Sequence, residues 1–399
     1  MLQSPLMTDS RYDLHQEIKG MKIKLKKPVN RIWAIVWLVD LLFILSCLII
    51  SFMANEKIER LYSEQAAKRW QAGDMKFAQV SAFISTDAKT DQTALSNIRT
   101  AIMTKLKEDG YSDVNKSGKP LCDAYYMESE QAITAENISV DVTLSGVGGD
   151  FFTLHPFPLK CGNYFSDEDL NLDRIVLDEN ASWNLFGSSD VEGLQVQIGR
   201  HIFTVAGVIR VPTDTVESEA YGEKARAFIP YQRMDKVGTE EKNITCYEAV
   251  LPNPIKSYAF NTLSSAFGFG EEEDKGENKD VVCVTNTERF DFFNLIGDLK
   301  TFKYVSMRKK PIAYPFWENE AIVVEHRLSK WLLFRLILIA FVVITVIVRI
   351  SIWWIKREKT TFELITEWLD GMKDKRNIKL EKKKEKAKED SKETEEEQH

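Results

Sequence analysis

RIWAIVWLVDLLFILSCLIISFM, residues 31–53, and WLLFRLILIAFVVITVIVRISIWWI, residues 331–355, decide the architecture of this chain. Each run is near the roughly 20 apolar residues that a helix needs to cross a bilayer. They predict transmembrane helices over 32–53 and 331–355, with the 277 mostly polar residues 54–330 between them. Lys19, Lys22, Lys24, Lys26 and Lys27 precede the first run and Arg31 opens it, and Lys356, Arg357 and Lys359 follow the second. Loops on the cytoplasmic side carry the excess of Lys and Arg. Both termini, 1–31 and the stretch after 355, are therefore expected in the cytoplasm, and 54–330 outside a cell membrane that the chain crosses twice. The apolar core of the first run is too long for a cleaved signal peptide, and Phe52-Met53-Ala54 lacks the small residue such a site needs.

Charge sharpens this partition. The whole chain carries −7, while the membrane and cytoplasmic parts together carry +5, which leaves 54–330 at −12. An acidic domain without basic patches argues against nucleic acid or anionic lipid as its main ligand. Its length allows a substantial core, expected as two subdomains: 54–150 with 240–330, and an inserted β-rich part over 151–239. Cys47 falls in the first membrane run, and Cys122, Cys161, Cys246 and Cys283 lie in 54–330. Outside the cytoplasm four cysteines allow one or two disulfides, and spacing does not choose among the three full pairings.

The local patterns read as α+β, with mixed sheets and helices. Residues 54–110 look helix-rich: Ile58, Leu61, Ala66 and Trp70 prolong the first membrane helix, and 94–106 has the i, i+3, i+4 apolar spacing of an amphipathic helix. Alternation then marks a strand at 138–144, ending in the turn at Gly148-Gly149. Ser166 to Asp169 has the form of a helix N-cap with an acid three residues on. Strands are expected at 174–178 and 227–230, a short helix over 179–186 ended by Gly187, and a hairpin around Gly199-Arg200.

Taken together, FFTLHPFPLKCGNYFSDEDL (151–170), RIVLDENASWNLFGSSDVEGLQVQIGRHIFTVAGVIRVP (174–212) and AFIPYQRM (227–234) resemble the periplasmic core domain of MacB-type ABC transporter permeases, within the FtsX-like superfamily. In that family a strand bearing V-L-(N/D)-E leads into a helix ending L-F-G, and a D-x-x-G turn precedes a hairpin ending F-x-V-x-G-V. The matching residues are Val176 to Glu179, Leu185 to Gly187, Asp190 to Gly193 and Phe203 to Val208. The resemblance implies a permease that continues past its second membrane helix, through a cytoplasmic coupling segment, into two more. Here 356–376 resembles that segment, with Phe362, Ile365, Trp368, Leu369 and Met372 at helical spacing, expected on the membrane surface or against a partner. Residues 377–399 form a charged tail instead of a third helix, which reads as a truncation after the second.

Two charges fall inside the runs. Asp40 lies nine residues in from Arg31 and Arg349 six residues in from Ile355, both in the cytoplasmic half. Ionisable groups at such depth pair or face protein, so Asp40 and Arg349 are expected to meet each other or a partner subunit, while Arg335 near the outer edge snorkels.

No Gly-x-x-x-x-Gly-Lys-Ser/Thr loop occurs, and no convergent set of catalytic, cofactor or metal ligands emerges. His155 and His201 lack a neighbouring acid and nucleophile, and the acidic run 271–274 reads as a solvated loop. A non-catalytic subunit of a MacB/FtsX-like complex is therefore expected, without cofactor or nucleic acid. Its partners would be the lipid bilayer, a separate ABC ATPase, a fuller FtsX-like permease subunit, and an extracellular substrate or envelope protein. The alternatives are a two-pass membrane sensor, which needs a larger cytoplasmic output module, and a polysaccharide co-polymerase-like scaffold, which needs long outer helices.

Overall fold

The computed structural model describes residues 31–396 apart from 72–73, 112–120, 167–168, 170–171, 238–242, 271–275, 277 and 306–311. The basic residues before Arg31 and the acidic run 271–274 lie outside the described residues. Along the chain come α1 (Arg31–Arg60), α2 (Ala66–Trp70), β1 (Phe77–Ile84), α3 (Gln92–Glu108), β2 (Cys122–Ala135), β3 (Ile138–Gly149), α4 (Phe151–Leu154), β4 (Leu159–Gly162), β5 (Arg174–Asp178) and α5 (Glu179–Phe186). Then follow β6 (Gln195–Ile198), β7 (His201–Ile209), α6 (Thr215–Tyr221), β8 (Arg226–Pro230), β9 (Cys246–Pro252), α7 (Tyr258–Ala266), β10 (Val281–Thr285), α8 (Phe292–Val305) and α9 (Phe316–Glu396). Residues 49–335 form one compact unit, and the described parts of 1–48 and 336–399 form the other.

The fold is α+β. Ten strands build one mixed sheet in the order β10-β1-β9-β2-β3-β8-β5-β7-β4, with β6 pairing to β2 and β7. The two expected stretches, 54–150 with 240–330 and 151–239, thus share one sheet. β3 pairs with β8 in parallel from Thr143 opposite Arg226 to Val147 opposite Pro230, so the hydrogen-bond ladder runs straight through the expected boundary between 54–150 and 151–239.

Short-range chemistry explains the elements that the family motifs occupy. Asp178 caps α5 by accepting the Ala181 N–H at 2.7 Å, and Gly187 ends it at φ 66°. That left-handed conformation suits glycine, which has no Cβ to clash. Gly199 turns the β6–β7 hairpin at φ 59°. Gly207 is required for packing: a Cβ there would stand 2.6 Å from the Asn163 carbonyl oxygen. No helix follows Ser166 among the described residues. Instead the Asp169 carboxylate accepts the Ser166 N–H at 3.1 Å.

β1 lies where the sequence reads as helix-rich. FAQVSAFI is buried at all eight positions, and a strand covered on both faces loses the alternation that betrays a half-exposed one. On one face Ala78, Val80, Ala82 and Ile84 pack with Leu95, Ile98 and Ile102 of α3 and Leu263 of α7. On the other, Phe77 and Phe83 join Ala66 of α2, Phe151 of α4 and Phe316 and Trp317 of α9. Gln79 and Ser81 share this second face by strand alternation, and both are fully buried.

α1 and α9 contain the two apolar runs, and both are long and apolar enough to cross a membrane. α9 runs unbroken for 81 residues. Residues 356–376, expected on the membrane surface or against a partner, are part of this same helix, which extends through the charged tail to Glu396.

Candidate functional site

The second face of the sheet carries a buried charge cluster where α2, β1, β9, β10 and α9 meet. Ser81 and Glu248 sit opposite each other on β1 and β9, and the Ser81 hydroxyl lies 2.8 Å from Glu248 Oε1 and 2.7 Å from Asn286 Oδ1. The Asn286 amide donates to both Glu64 oxygens at 3.2 Å. Arg289 closes the cluster. Its guanidinium pairs with Glu64 at 3.2 Å, with Glu325 at 3.4 Å, and with Glu318. Glu64 follows α1, Glu318 and Glu325 lie two turns apart on α9, and Arg289 follows β10, so one cation ties two segments to the sheet.

Burial of several carboxylates around one arginine is costly unless they are paired or protonated. Burial pushes the Glu64 carboxyl up to about 7; Arg289 and Asn286 oppose the rise, and Glu318 and Glu248 add to it. His155 is fully buried and its Nε2 contacts Glu248 Oε2. Histidine, carboxylate and Ser81 thus come together, but with the carboxylate between the other two. A nucleophile needs the base on its own oxygen, so the arrangement supports structure and not acyl transfer. His201 only opens β7.

The first turn of α9 anchors in aromatic rings. Trp317, 1% exposed, packs edge-on to Tyr126 at 4.9 Å and lies 5.6 Å from Phe151 and 4.4 Å from His155. Beside it opens a cavity of 530 Å³ whose wall includes Arg60, Phe157, Lys160, Arg210, Phe316 and Trp317. The buried indole N–H of Trp317 has no acceptor among the described residues. Asp178 stands behind this wall. It accepts from Tyr221 at 3.0 Å and from the Arg226 N–H at 2.9 Å, and burial pushes its carboxyl up to about 6 against those donors. Glu179, next in the V-L-D-E motif, accepts the Val211 N–H at 3.1 Å and pairs with Lys160 at 3.2 Å. Asp178 is therefore structural, while Glu179 also lines the cavity wall beside Lys160.

The structure brings Asp40 and Arg349 together. Arg349 Nη2 lies 2.7 Å from Asp40 Oδ2, and Thr345 Oγ1 lies 3.0 Å from both Asp40 oxygens. The guanidinium also sits 4.0 Å above the Trp37 ring. Asp40 is the one described residue of α1 that is buried. Arg335 lines a groove with Ile50, Ala54 and Trp331.

Within residues 356–376, Ile365, Trp368, Leu369 and Met372 form an exposed stripe. Phe362 lies on the same helix, and its side chain is outside the described residues. The structure joins none of Cys122, Cys161, Cys246 and Cys283 in a disulfide. Cys246 faces Tyr126 across the ladder, and Cys122 faces Val250. That four-residue offset separates them by about 13 Å, beyond the roughly 7 Å Cα limit of a disulfide. Cys283 belongs to the opposite core, and Cys161 lies on β4.

Sequence reasoning missed the charge cluster. One signal was present: Glu318 and Glu325 stand seven residues apart beside the apolar stripe Trp317, Ala321, Val324 and Leu328. Acids flanking an apolar helical stripe are candidates for burial.

Residues 62–254 match the family model described as MacB-like periplasmic core domain. The macrolide export ATP-binding/permease protein MacB of Chromobacterium violaceum is 34% identical over 96 residues, which is 23% of this chain and 15% of that protein. MacB of Neisseria meningitidis is 26% identical over 132 residues, 28% of this chain and 20% of its own length. The chain thus matches a fifth or less of these relatives. Among solved structures, the periplasmic region of MacB from Actinobacillus actinomycetemcomitans aligns with a TM-score of 0.38 and 16% identity over 57% of this chain and 93% of that one. The extracellular domain of the ABC-type transporter YknZ from Gram-positive bacteria gives 0.34 and 12%, over 52% and 98%. Residues 62–254 are thus similar to the MacB-like periplasmic core domain, and the chain also carries two helices long and apolar enough to cross a membrane.

Proposed function

We propose that this chain is a non-catalytic membrane subunit of a MacB/FtsX-like ABC transporter complex, and that its outer domain couples ATPase-driven movement in the cytoplasm to a substrate or envelope partner. Both termini then face the cytoplasm, and a separate ABC ATPase and a further FtsX-like permease subunit are the partners. The observation that carries the reading is the unbroken course of α9 from the sheet through the apolar run and the segment 356–376. A continuous helix resists bending because its backbone hydrogen bonds act in series along the axis. Displacement applied at its far end would be carried along this helix toward Phe316 to Glu325. There Trp317 and the Arg289 cluster grip it against β1, β9 and β10. The 530 Å³ cavity at its first turn is the proposed contact for substrate or partner, with the Trp317 N–H as a donor. Asp40 and Arg349 would hold α1 and α9 together where that movement crosses the membrane, and the stripe Ile365, Trp368, Leu369 and Met372 would meet the ATPase.

The test is purification of the tagged full chain from its native membranes in mild detergent, with mass spectrometry of what accompanies it. An ABC ATPase and a permease are expected in comparable yield. A chain recovered alone, folded and stable, in several detergents overturns the proposal.

A further inference from the structure

We infer that the first turn of α8 is a membrane-surface anchor, in which Phe292 and Phe293 insert into the headgroup region of the leaflet that residues 54–330 face. The argument starts from level. The apolar run of α1 ends at Met53 and that of α9 begins at Trp331, so residues near these two positions mark the bilayer boundary. A groove of 190 Å³ at this boundary is lined by Ile50 and Ala54 of α1, Trp331 and Leu332 of α9, and Phe290 and Leu295 from the α8 region. Phe290 and Leu295 are thereby tied to the boundary on both sides of the two phenylalanines. Phe292 and Phe293 lie within three residues of both, a rise of about 5 Å at 1.5 Å per helical residue.

Their exposure supplies the second observation. Phe293 is 78% exposed, the highest value of any large apolar side chain among the described residues, and Phe292 is 47% exposed. The rings meet edge-on at 5.4 Å, forming one apolar knob, while Leu295 turns inward at 8% exposure. Single exposed hydrophobes are common on soluble surfaces, but contiguous apolar patches mark a binding surface. This one stands at the height where aromatic residues gather in membrane proteins. Trp331 and Arg335, which share the groove, are residue types of that same zone. A lipid surface is the occupant that both the level and the chemistry select.

The experiment uses the full chain in nanodiscs of phosphatidylcholine and phosphatidylglycerol, with a nitroxide attached at Phe293→Cys. Position 255, where Ile255 is 69% exposed and removed from the groove, serves as the solvent reference. The wild-type chain, whose cysteines are buried or half-buried, is the blank. Collision with oxygen, which partitions into lipid, is compared with collision with a water-soluble nickel chelate. The inference expects the oxygen-to-nickel ratio at 293 to exceed that at 255 several-fold, and Phe292→Cys to follow it. A ratio at 293 equal to that at 255 overturns the anchor. So does shielding from both reagents, which would mean that protein covers the knob.

Discussion

Glu64→Gln isolates the contribution of one buried carboxyl to the docking of α9. Glu64 is 6% exposed and accepts from Asn286 and Arg289. Its carboxyl is pushed from 4.5 to about 7, chiefly by burial, and the negative charges of Glu318 and Glu248 add to the rise. A carboxyl that binds its proton more tightly in the folded than in the unfolded chain adds stability fully present below pH 4.5. That stability is lost as pH rises through about 7. At about 1.36 kcal/mol per pH unit, the group accounts for roughly 2–3 kcal/mol between pH 5 and pH 8. Gln keeps the size, matches the protonated carboxyl in having one carbonyl acceptor and one donating group, and does not titrate, so the variant should lose that part of the difference. The assay is thermal unfolding of the sheet domain in the full detergent-solubilised chain, at several pH values, for wild type and variant. The wild type should melt higher at pH 5 than at pH 8, and the variant should show a shallower dependence. A variant with the full wild-type pH dependence would refute the reasoning, because the titrating group would then lie elsewhere.

Other perturbations test the packing and the membrane pair. Gly207→Ala places a methyl 2.6 Å from the Asn163 oxygen and 2.9 Å from the Cys161 oxygen, both backbone atoms. Overpacking of this kind costs about 1–3 kcal/mol, and a melting temperature unchanged from wild type would show that β4 moves freely away from β7. Asp40→Leu leaves Arg349 without its carboxylate. A lone charge at the centre of a span costs about 2.5–3.5 kcal/mol, so membrane yield should fall, and Arg349→Leu should fall likewise. The exchanged pair Asp40→Arg with Arg349→Asp should recover part of the loss. Yields that stay as low as in the single variants would mean that the two groups act separately.

Part of this architecture is legible in the sequence alone. Each apolar run needs only length and composition to declare itself, because a bilayer has a set thickness. The stretch from Arg174 to Ile209 was readable because its signals are local. Asp178 caps the helix that follows it, Gly187 ends that helix, and Gly199 turns the next hairpin, each through atoms a few residues away. β1 was not readable, since burial on both faces erased its alternation, and without β1 the pairing of β9 and β10 had no centre. The single sheet also escaped, because the β3–β8 pairing that creates it links residues about 80 apart by backbone bonds with no side-chain signature. Asp40 and Arg349 could be matched by depth, since two helices in a membrane have one shared axis along which to compare them.

The sequence by itself therefore determined the two membrane runs, the capped and turned core of the MacB-like domain, and the residues with reason to meet in the membrane. Only the tertiary structure decided that Glu64, Glu248, Arg289, Glu318 and Glu325 converge. The physical reason is that a buried charge cluster is defined by proximity across the fold. Its members lie up to about 260 residues apart, and nothing in their spacing records that one arginine holds the root of α9 to the sheet.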